Sequence, residues 1–211
     1  MIIGLTGGIG SGKSTVANAL VAYAGWALYD TDSEAKRIIV ENPTVRRHII
    51  DLFGPEAYDG DTYQTAFVAS RVFADSDLLQ RLNAIVHPAV REDILRRHDS
   101  LNPLSAWIPS PATRPLNPLN SLNPLNLLIE SAILFESGLD AICDKTIAIV
   151  TPEELRLERI MQRDNIDIQK VRARMRAQMS DDERSRRADL TIHYTNRNDL
   201  VTICPYIVQH L

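Results

Sequence analysis

Gly7-Gly8-Ile9-Gly10-Ser11-Gly12-Lys13-Ser14, directly after the apolar run Ile2-Ile3-Gly4-Leu5, sets the architecture of this chain. The stretch fits G-x-x-x-x-G-K-[ST], a loop whose backbone N–H groups wrap the phosphates of a nucleoside triphosphate. Glycines let the backbone turn tightly and approach phosphate without Cβ clashes. Lys13 offers a compact positive charge to the β/γ oxygens, and Ser14 a hydroxyl to Mg²⁺. Residues 13–24 read as a helix whose N-terminal dipole favours the same anion. Gly8, Ile9, Gly10, Ser11, Gly12, Lys13, Ser14 and Thr15 are thus the expected nucleotide-binding residues. A Gly-rich turn that binds nothing is the competing reading, and the order strand, loop, Lys-Ser, helix argues against it.

Working outward, 211 residues leave room for one α/β domain with insertions. A formal charge of −4 gives no reason to expect nucleic acid or an acidic membrane as a partner. Arg outnumbers Lys 19 to 4, and nine of those Arg lie between Arg156 and Arg187. Guanidinium groups suit bidentate phosphate binding, although a solvated helical face explains any one of them equally well. Cys143 and Cys204 lack metal-like spacing and suggest structural thiols in a reducing compartment. No apolar run approaches the roughly 20 residues of a membrane span, and no leader precedes the first strand. The expectation is a cytoplasmic protein with no obligate protein partner.

Strand-like runs fall at 2–6, 26–29, 127–133, 146–150 and 190–194, several of them continuously apolar as strands covered on both faces should be. Helical patterns separate them at 13–24, 33–41, 43–53, 64–99, 152–163, 168–179 and 197–209. Alternating β and α predicts a parallel sheet with helices on both faces and a ligand at the carboxyl ends of the strands. Residues 101–126 stand apart: they hold six of the eleven prolines and repeat Leu-Asn-Pro-Leu at 101, 116 and 122. Such Pro spacing forbids helix and central strand. The segment reads as a surface insertion or a partner-binding element.

A phosphate loop alone leaves a kinase, a GTPase switch and an ATP-driven machine open. None of the four lysines sits in a guanine-reading context, and Asp51-Leu-Phe-Gly54 ends an amphipathic helix rather than following a strand. A motor needs more chain. A small-molecule kinase remains, which requires an acceptor site, a proton acceptor and an Arg-bearing lid. Asp30-Thr31-Asp32 lies at the carboxyl end of the second strand, so either Asp caps the next helix or accepts a proton, and two residues allow both tasks. Glu130 sits inside an apolar strand, where a charge is costly; supporting a metal and forming a buried ion pair are equal readings. Arg159 and Arg163 are four apart on one helical face, with Arg156 nearby, and 168–187 reads as a mobile lid.

Taken in order, these residues resemble dephospho-CoA kinases. The resemblance begins with Ile3-Gly-Leu-Thr-Gly-Gly-Ile-Gly-Ser-Gly-Lys-Ser-Thr-Val-Ala17 and runs through Asp30-Thr-Asp32, Phe53-Gly54, Asp59-Gly60, Arg71-Val-Phe73 and Leu82-Asn83. It continues with Ile85-Val-His87-Pro88, Leu134-Phe135-Glu136, Thr151-Pro-Glu153, Arg159, Arg163, Gln178 and Ala188-Asp189, and omits only 101–126. It implies a P-loop kinase fold: a parallel five-stranded sheet flanked by helices, with a helical acceptor-binding insertion and a lid. It implies a core of 1–58, 127–154 and 188–211, an acceptor-binding region 59–100 and a lid 155–187. The implied activity is transfer of the ATP γ-phosphoryl to the ribose 3′-hydroxyl of dephospho-CoA, with ATP and Mg²⁺ as cofactors. Asp32, Lys13, Arg159 and Arg163 take catalytic positions in this scheme. Asp30, Asp32, Arg71, Asn83 and His87 take acceptor-binding ones, and Ser14 and Glu130 the metal. His87, before Pro88, reads equally as a packed structural residue.

Four departures stand out. Ala132 replaces a proline common in the family, and Gln64 or Thr65 occupies the place of an arginine after the Asp-Gly turn. Tyr194 and Thr195 stand where an asparagine is expected, and residues 101–126 are extra. Two other functions remain: another small P-loop kinase with a nucleotide or metabolite acceptor, and a non-catalytic nucleotide-binding regulator.

Overall fold

The computed structural model describes residues 1–101, 126–164 and 167–211, so the expected insertion falls almost wholly outside the described residues. The chain divides into two compact units, Met1–Tyr29 with His98–Leu211, and Asp30–Arg97. The division groups residues 30–58 with the helical region, where the sequence reading assigned them to the core.

The first unit is built on a five-stranded sheet in the order β2-β5-β1-β6-β7. Its strands are β1 (Ile2–Gly7), β2 (Ala27–Asp30), β5 (Leu127–Glu130), β6 (Lys145–Val150) and β7 (Leu190–His193). β1 runs parallel to both β5 and β6, and β6 parallel to β7. Ile3 and Leu5 of β1 and Ile147 and Ile149 of β6 are fully buried and share a core with Val16, Ala17 and Leu20 of α1 (Lys13–Ala24). Ile203, Cys204 and Ile207 of α9 (Leu200–His210) complete that face. Each such aliphatic side chain contributes about 1.5–3 kcal/mol on burial. At Gly4 a Cβ would lie 2.7 Å from Leu134 Cδ2 and 2.9 Å from Cys143 Sγ, so the bare backbone admits the segment after β5.

The strand expected at 127–133 ends at Glu130, because Ser131 turns the chain and its Oγ accepts the Ile133 N–H at 3.3 Å. The apolar residues that follow, Leu134 and Phe135, bury themselves from a turn instead. The stretch expected as a lid holds α6 (Glu153–Asp164), α7 (Ile168–Arg176) and a further helix, α8 (Asp181–Arg187), whose N-cap Ser180 accepts the Glu183 N–H. Asp189 staples β6 to the start of β7, accepting from the N–H and Oγ1 of Thr146, both at 2.8 Å. These hydrogen bonds hold its carboxyl below the usual carboxylate range.

The second unit contains α2 (Thr31–Glu41), α3 (Pro43–Phe53), a two-stranded ribbon of β3 (Tyr58–Asp59) and β4 (Thr62–Tyr63), α4 (Thr65–Ala74) and most of α5 (Ser76–Leu101). The single helix expected at 64–99 is two helices, broken at Asp75, whose Oδ1 accepts the Asp77 N–H at 2.9 Å. The Tyr58 hydroxyl donates to the Ile39 carbonyl at 2.8 Å, and Arg37 pairs with Glu34, Glu41 and Asp93. Val86, Val90 and Ile94, spaced by four, form the buried stripe of α5.

Among the described residues no helix is long and apolar enough to cross a membrane. Both cysteines are free thiols. Burial pushes Cys143 up to about 12, helped by Asp140, Asp144 and Asp189, and raises Cys204 as well. Since the thiolate is the nucleophile, the folded protein at about pH 8 should leave both unalkylated by iodoacetamide while the unfolded chain is labelled at both. Intact-mass measurement reads the difference, and fast labelling of either thiol in the folded protein would contradict the packing described.

Candidate active site

The loop between β1 and α1 turns through two left-handed glycines, Gly10 at φ 78° and Gly12 at φ 85°. The turn closes on itself, since the Ser11 N–H donates to Gly8 O at 3.0 Å and the Thr15 N–H to Gly12 O at 3.0 Å. Gly12 is the N-cap of α1; no side chain caps that end, and its first turn carries no acidic residue. Amides at the head of a helix have no acceptor inside it, so an external anion is their natural partner. The cradle leaves no room for a Cβ at Gly12, which would sit 2.5 Å from Cε1 of the Tyr194 ring.

Side chains from α6 and beyond hold this loop from behind. Arg156, nearly enclosed, donates from Nε to Ile9 O at 2.9 Å, and a Cβ on Gly8 would collide with its guanidinium. Arg159 Nη1 lies 3.3 Å from both Gly10 O and Ser11 O, and its Nη2 donates to Thr195 O. The Arg159 guanidinium also covers the Tyr194 ring at 5.2 Å. Thr151 Oγ1 lies 2.8 Å from Ser11 O and 2.6 Å from Tyr194 O, its one proton serving either. Gln178 Oε1 accepts the Ile9 N–H at 2.8 Å.

Arg163 departs from the expected trio. It is largely exposed and pairs with its neighbour, Asp164, at 2.7 Å, with Arg174 on the same carboxylate at 2.9 Å. Asp164 falls below the ordinary carboxylate range because Arg163 hydrogen-bonds to it. Arg156 likewise serves the loop's carbonyl side, since the groups it meets are Ile9 O and Asp181.

At the head of α1 the Ser14 hydroxyl donates to Glu130 Oε1, the last residue of β5. Glu130 is 7% exposed. Hydroxyl and carboxylate oxygens side by side suit a hard cation that keeps water and phosphate oxygens as its other ligands. That donor set fits Mg²⁺ brought in with a nucleotide. No group of three or more His, Cys, Asp or Glu among the described residues could hold a metal by itself.

The remaining expected residues lie in the second unit. Asp30 is the N-cap of α2: Oδ1 accepts the Asp32 N–H at 3.1 Å and Oδ2 the Ser33 hydroxyl at 2.7 Å. Asp32, one turn-start later, is exposed. Asn83 and His87, four apart, share one stripe of α5, and burial lowers the His87 pKa. Arg71 lies on α4, its guanidinium 5.0 Å from the Phe67 ring. Asn196, near the position where an asparagine is expected, caps the short turn 197–199. Sequence reasoning gave no role to Thr151, Tyr194 or Gln178. Thr151 and Gln178 belong to the stretches that resemble the family, their one signal in the sequence, and Tyr194 stands out only as a departure from it.

An amide-lined turn at the carboxyl end of a central parallel strand, with Lys13 and Ser14 opening the next helix and a carboxylate beside Ser14, is the phosphate loop of the P-loop class of nucleotide-binding proteins. A family model described as dephospho-CoA kinase matches residues 1–108 and 116–200. The dephospho-CoA kinase of Bacteroides fragilis (strain YCH46) is 34% identical over 190 residues, covering 90% of this chain and 82% of that protein. The crystal structure of TT1252 from Thermus thermophilus superposes with a TM-score of 0.76 at 32% identity, covering 100% of this chain and 97% of that one. Dephospho-CoA kinase from Campylobacter jejuni gives 0.65 at 25% identity, covering 99% and 95%. The chain belongs to the dephospho-CoA kinase family.

Gly12→Ala forces a left-handed alanine and drives its methyl into Tyr194. A cost of about 1–3 kcal/mol is expected, or a fall of several degrees in Tm for a chain of this size. Thermal unfolding measures it, and an unchanged Tm would show that the loop does not hold this conformation.

Proposed function

We propose that this protein transfers the γ-phosphoryl group of ATP to the ribose 3′-hydroxyl of dephospho-CoA, giving coenzyme A and ADP. The observation that carries the reading is the uncapped head of α1 behind a positive-φ glycine turn, in a chain of this family. The amides at the head of α1 and Lys13 take the β- and γ-phosphates, so that charge developing on the transferred group meets fixed donors; the expected Ile9 contact is dropped, because its N–H is held by Gln178. Arg159, beside Gly10 and Ser11, adds positive charge at the loop's flank. Ser14 and Glu130 hold Mg²⁺, which neutralises phosphate charge when bound.

Asp30 is committed to capping α2, which leaves Asp32 as the carboxylate available to take the 3′-hydroxyl proton. Arg71, Asn83 and His87 belong to the acceptor-binding region 59–100 in this reading, with 155–187 as the lid. Arg163 is assigned no part in charge neutralisation while it stays with Asp164. Two free thiols and the small-molecule substrates suit a cytoplasmic enzyme that needs neither nucleic acid nor a protein partner.

The test is direct: purified protein with ATP, Mg²⁺ and dephospho-CoA should form CoA and ADP. Turnover of a nucleoside monophosphate in place of dephospho-CoA would sink the acceptor assignment. Asp32→Asn should lower kcat by about a hundredfold or more while ATP still binds; loss of binding with unchanged kcat would reverse the role given to Asp32. Glu130→Gln should raise the Mg²⁺ needed for half-maximal rate by about tenfold, and an unaltered Mg²⁺ titration would remove Glu130 from the metal.

A further inference from the structure

Both polar groups of the Ile9 peptide are taken by side chains. Its N–H goes to Gln178 Oε1 at 2.8 Å and its carbonyl accepts from Arg156 Nε at 2.9 Å. The Ile9 side chain packs against the small cluster of Leu157, Ile160 and Val171. The middle of the phosphate loop is therefore held by α6, α7 and the residues just after them.

What holds Arg156 is a carboxylate outside the motifs. Arg156 Nη1 meets Asp181 Oδ2 at 2.6 Å, and Asp181 Oδ1 meets Arg184 Nη1 at 2.7 Å. Arg184 is fully enclosed, its Nη2 3.9 Å from Glu136 Oε1. Glu136 in turn accepts the Met179 N–H at 3.1 Å. Two buried guanidinium groups thus share Asp181, one on each oxygen. Neither can swing away without leaving a buried charge poorly paired, which is costly. A guanidinium is planar, so holding Nη1 on Asp181 restricts the directions in which Nε can point and favours the one that meets Ile9 O.

From this geometry we infer that Asp181 is a positioning residue for nucleotide binding, acting through Arg156 on the Gly8–Gly10 turn. Arg184 serves as the counterweight that keeps the Asp181 carboxylate in place. The inference rests on the reading that the loop binds ATP. Asp181 touches no reacting atom, so its loss should register in ATP affinity rather than in acceptor affinity.

The experiment uses the full chain and compares the wild type with Asp181→Asn, Asp181→Glu and, as a control on the exposed side of α8, Arg186→Ala. Mg-ATP affinity is read by calorimetry, and KM for ATP, KM for dephospho-CoA and kcat by steady-state assay. Asp181→Asn should raise the Kd and KM for ATP about tenfold with KM for dephospho-CoA nearly unchanged. Asp181→Glu should recover most of the loss, and Arg186→Ala should match the wild type. A purely structural brace would instead lower Tm and the active fraction with both KM values intact, and that pattern overturns the inference. If Asp181→Asn does not fold, Arg156→Lys replaces it, because an ammonium cannot hold Ile9 O and Asp181 together. An unchanged KM for ATP in that variant overturns the inference equally. A wild-type protein that binds no Mg-ATP defeats the functional reading itself, a result distinct from either.

Discussion

Amide donors facing outward at the head of a helix must be held open from behind, since a loop rich in glycine has little stiffness of its own. In this protein the restraint comes from guanidinium groups and a hydroxyl set against the loop's carbonyls: Arg156 at Ile9, Arg159 at Gly10 and Ser11, and Thr151 at Ser11. Occupying the carbonyl side with fixed cations leaves the amide side for an anion. Of the arginine-rich stretch after β6, Arg156 and Arg159 thus help to set the shape of the loop. Tyr194 reinforces this by filling the space beside Gly12.

The central strands and the loop were legible because hydrophobic periodicity and glycine geometry are local properties. Residues 13–24 and 43–53 form helices at the expected bounds. Where sequence reading slipped, an apolar run had more than one way to be buried. Ala132 and Ile133 look like a continuing strand, yet Ser131 turns the chain, and Leu134 and Phe135 beyond them reach the interior from a turn. Asp75 inside a long helical pattern is a capping residue, and only its bond to the Asp77 N–H separates a break from a solvated helix position. The start of α8 was readable in principle, because Ser180 stands three before Glu183, a spacing typical of helix caps.

Roles at the site were harder to read than elements. Asp30 and Asp32, two residues apart where β2 gives way to α2, are equivalent on paper. Hydrogen bonding separates them, with both oxygens of Asp30 consumed by the first turn of α2 and Asp32 left to solvent. Spacings of three and four on α6 put Arg156, Arg159 and Arg163 together and suggest that they act alike. Their neighbours differ: a half-buried carboxylate shared with Arg184 for the first, backbone carbonyls for the second and the next residue in the chain, Asp164, for the third. Periodicity gives a residue its face but cannot say which partner is waiting there.

β5 enters the sheet under tight constraint at its amino end. Asn126 O accepts the Ala27 N–H at 2.9 Å, the Leu127 N–H donates to Met1 O at 2.9 Å, and Leu127 sits opposite Ile2. The register that carries Glu130 to Ser14 is thus locked at the edge of the sheet remote from the phosphate loop. Whatever number of residues precedes Asn126, the strand is clamped before it begins. The carboxylate at the strand's other tip therefore keeps its place through the ladder with β1 and owes nothing to the length of the chain ahead of it.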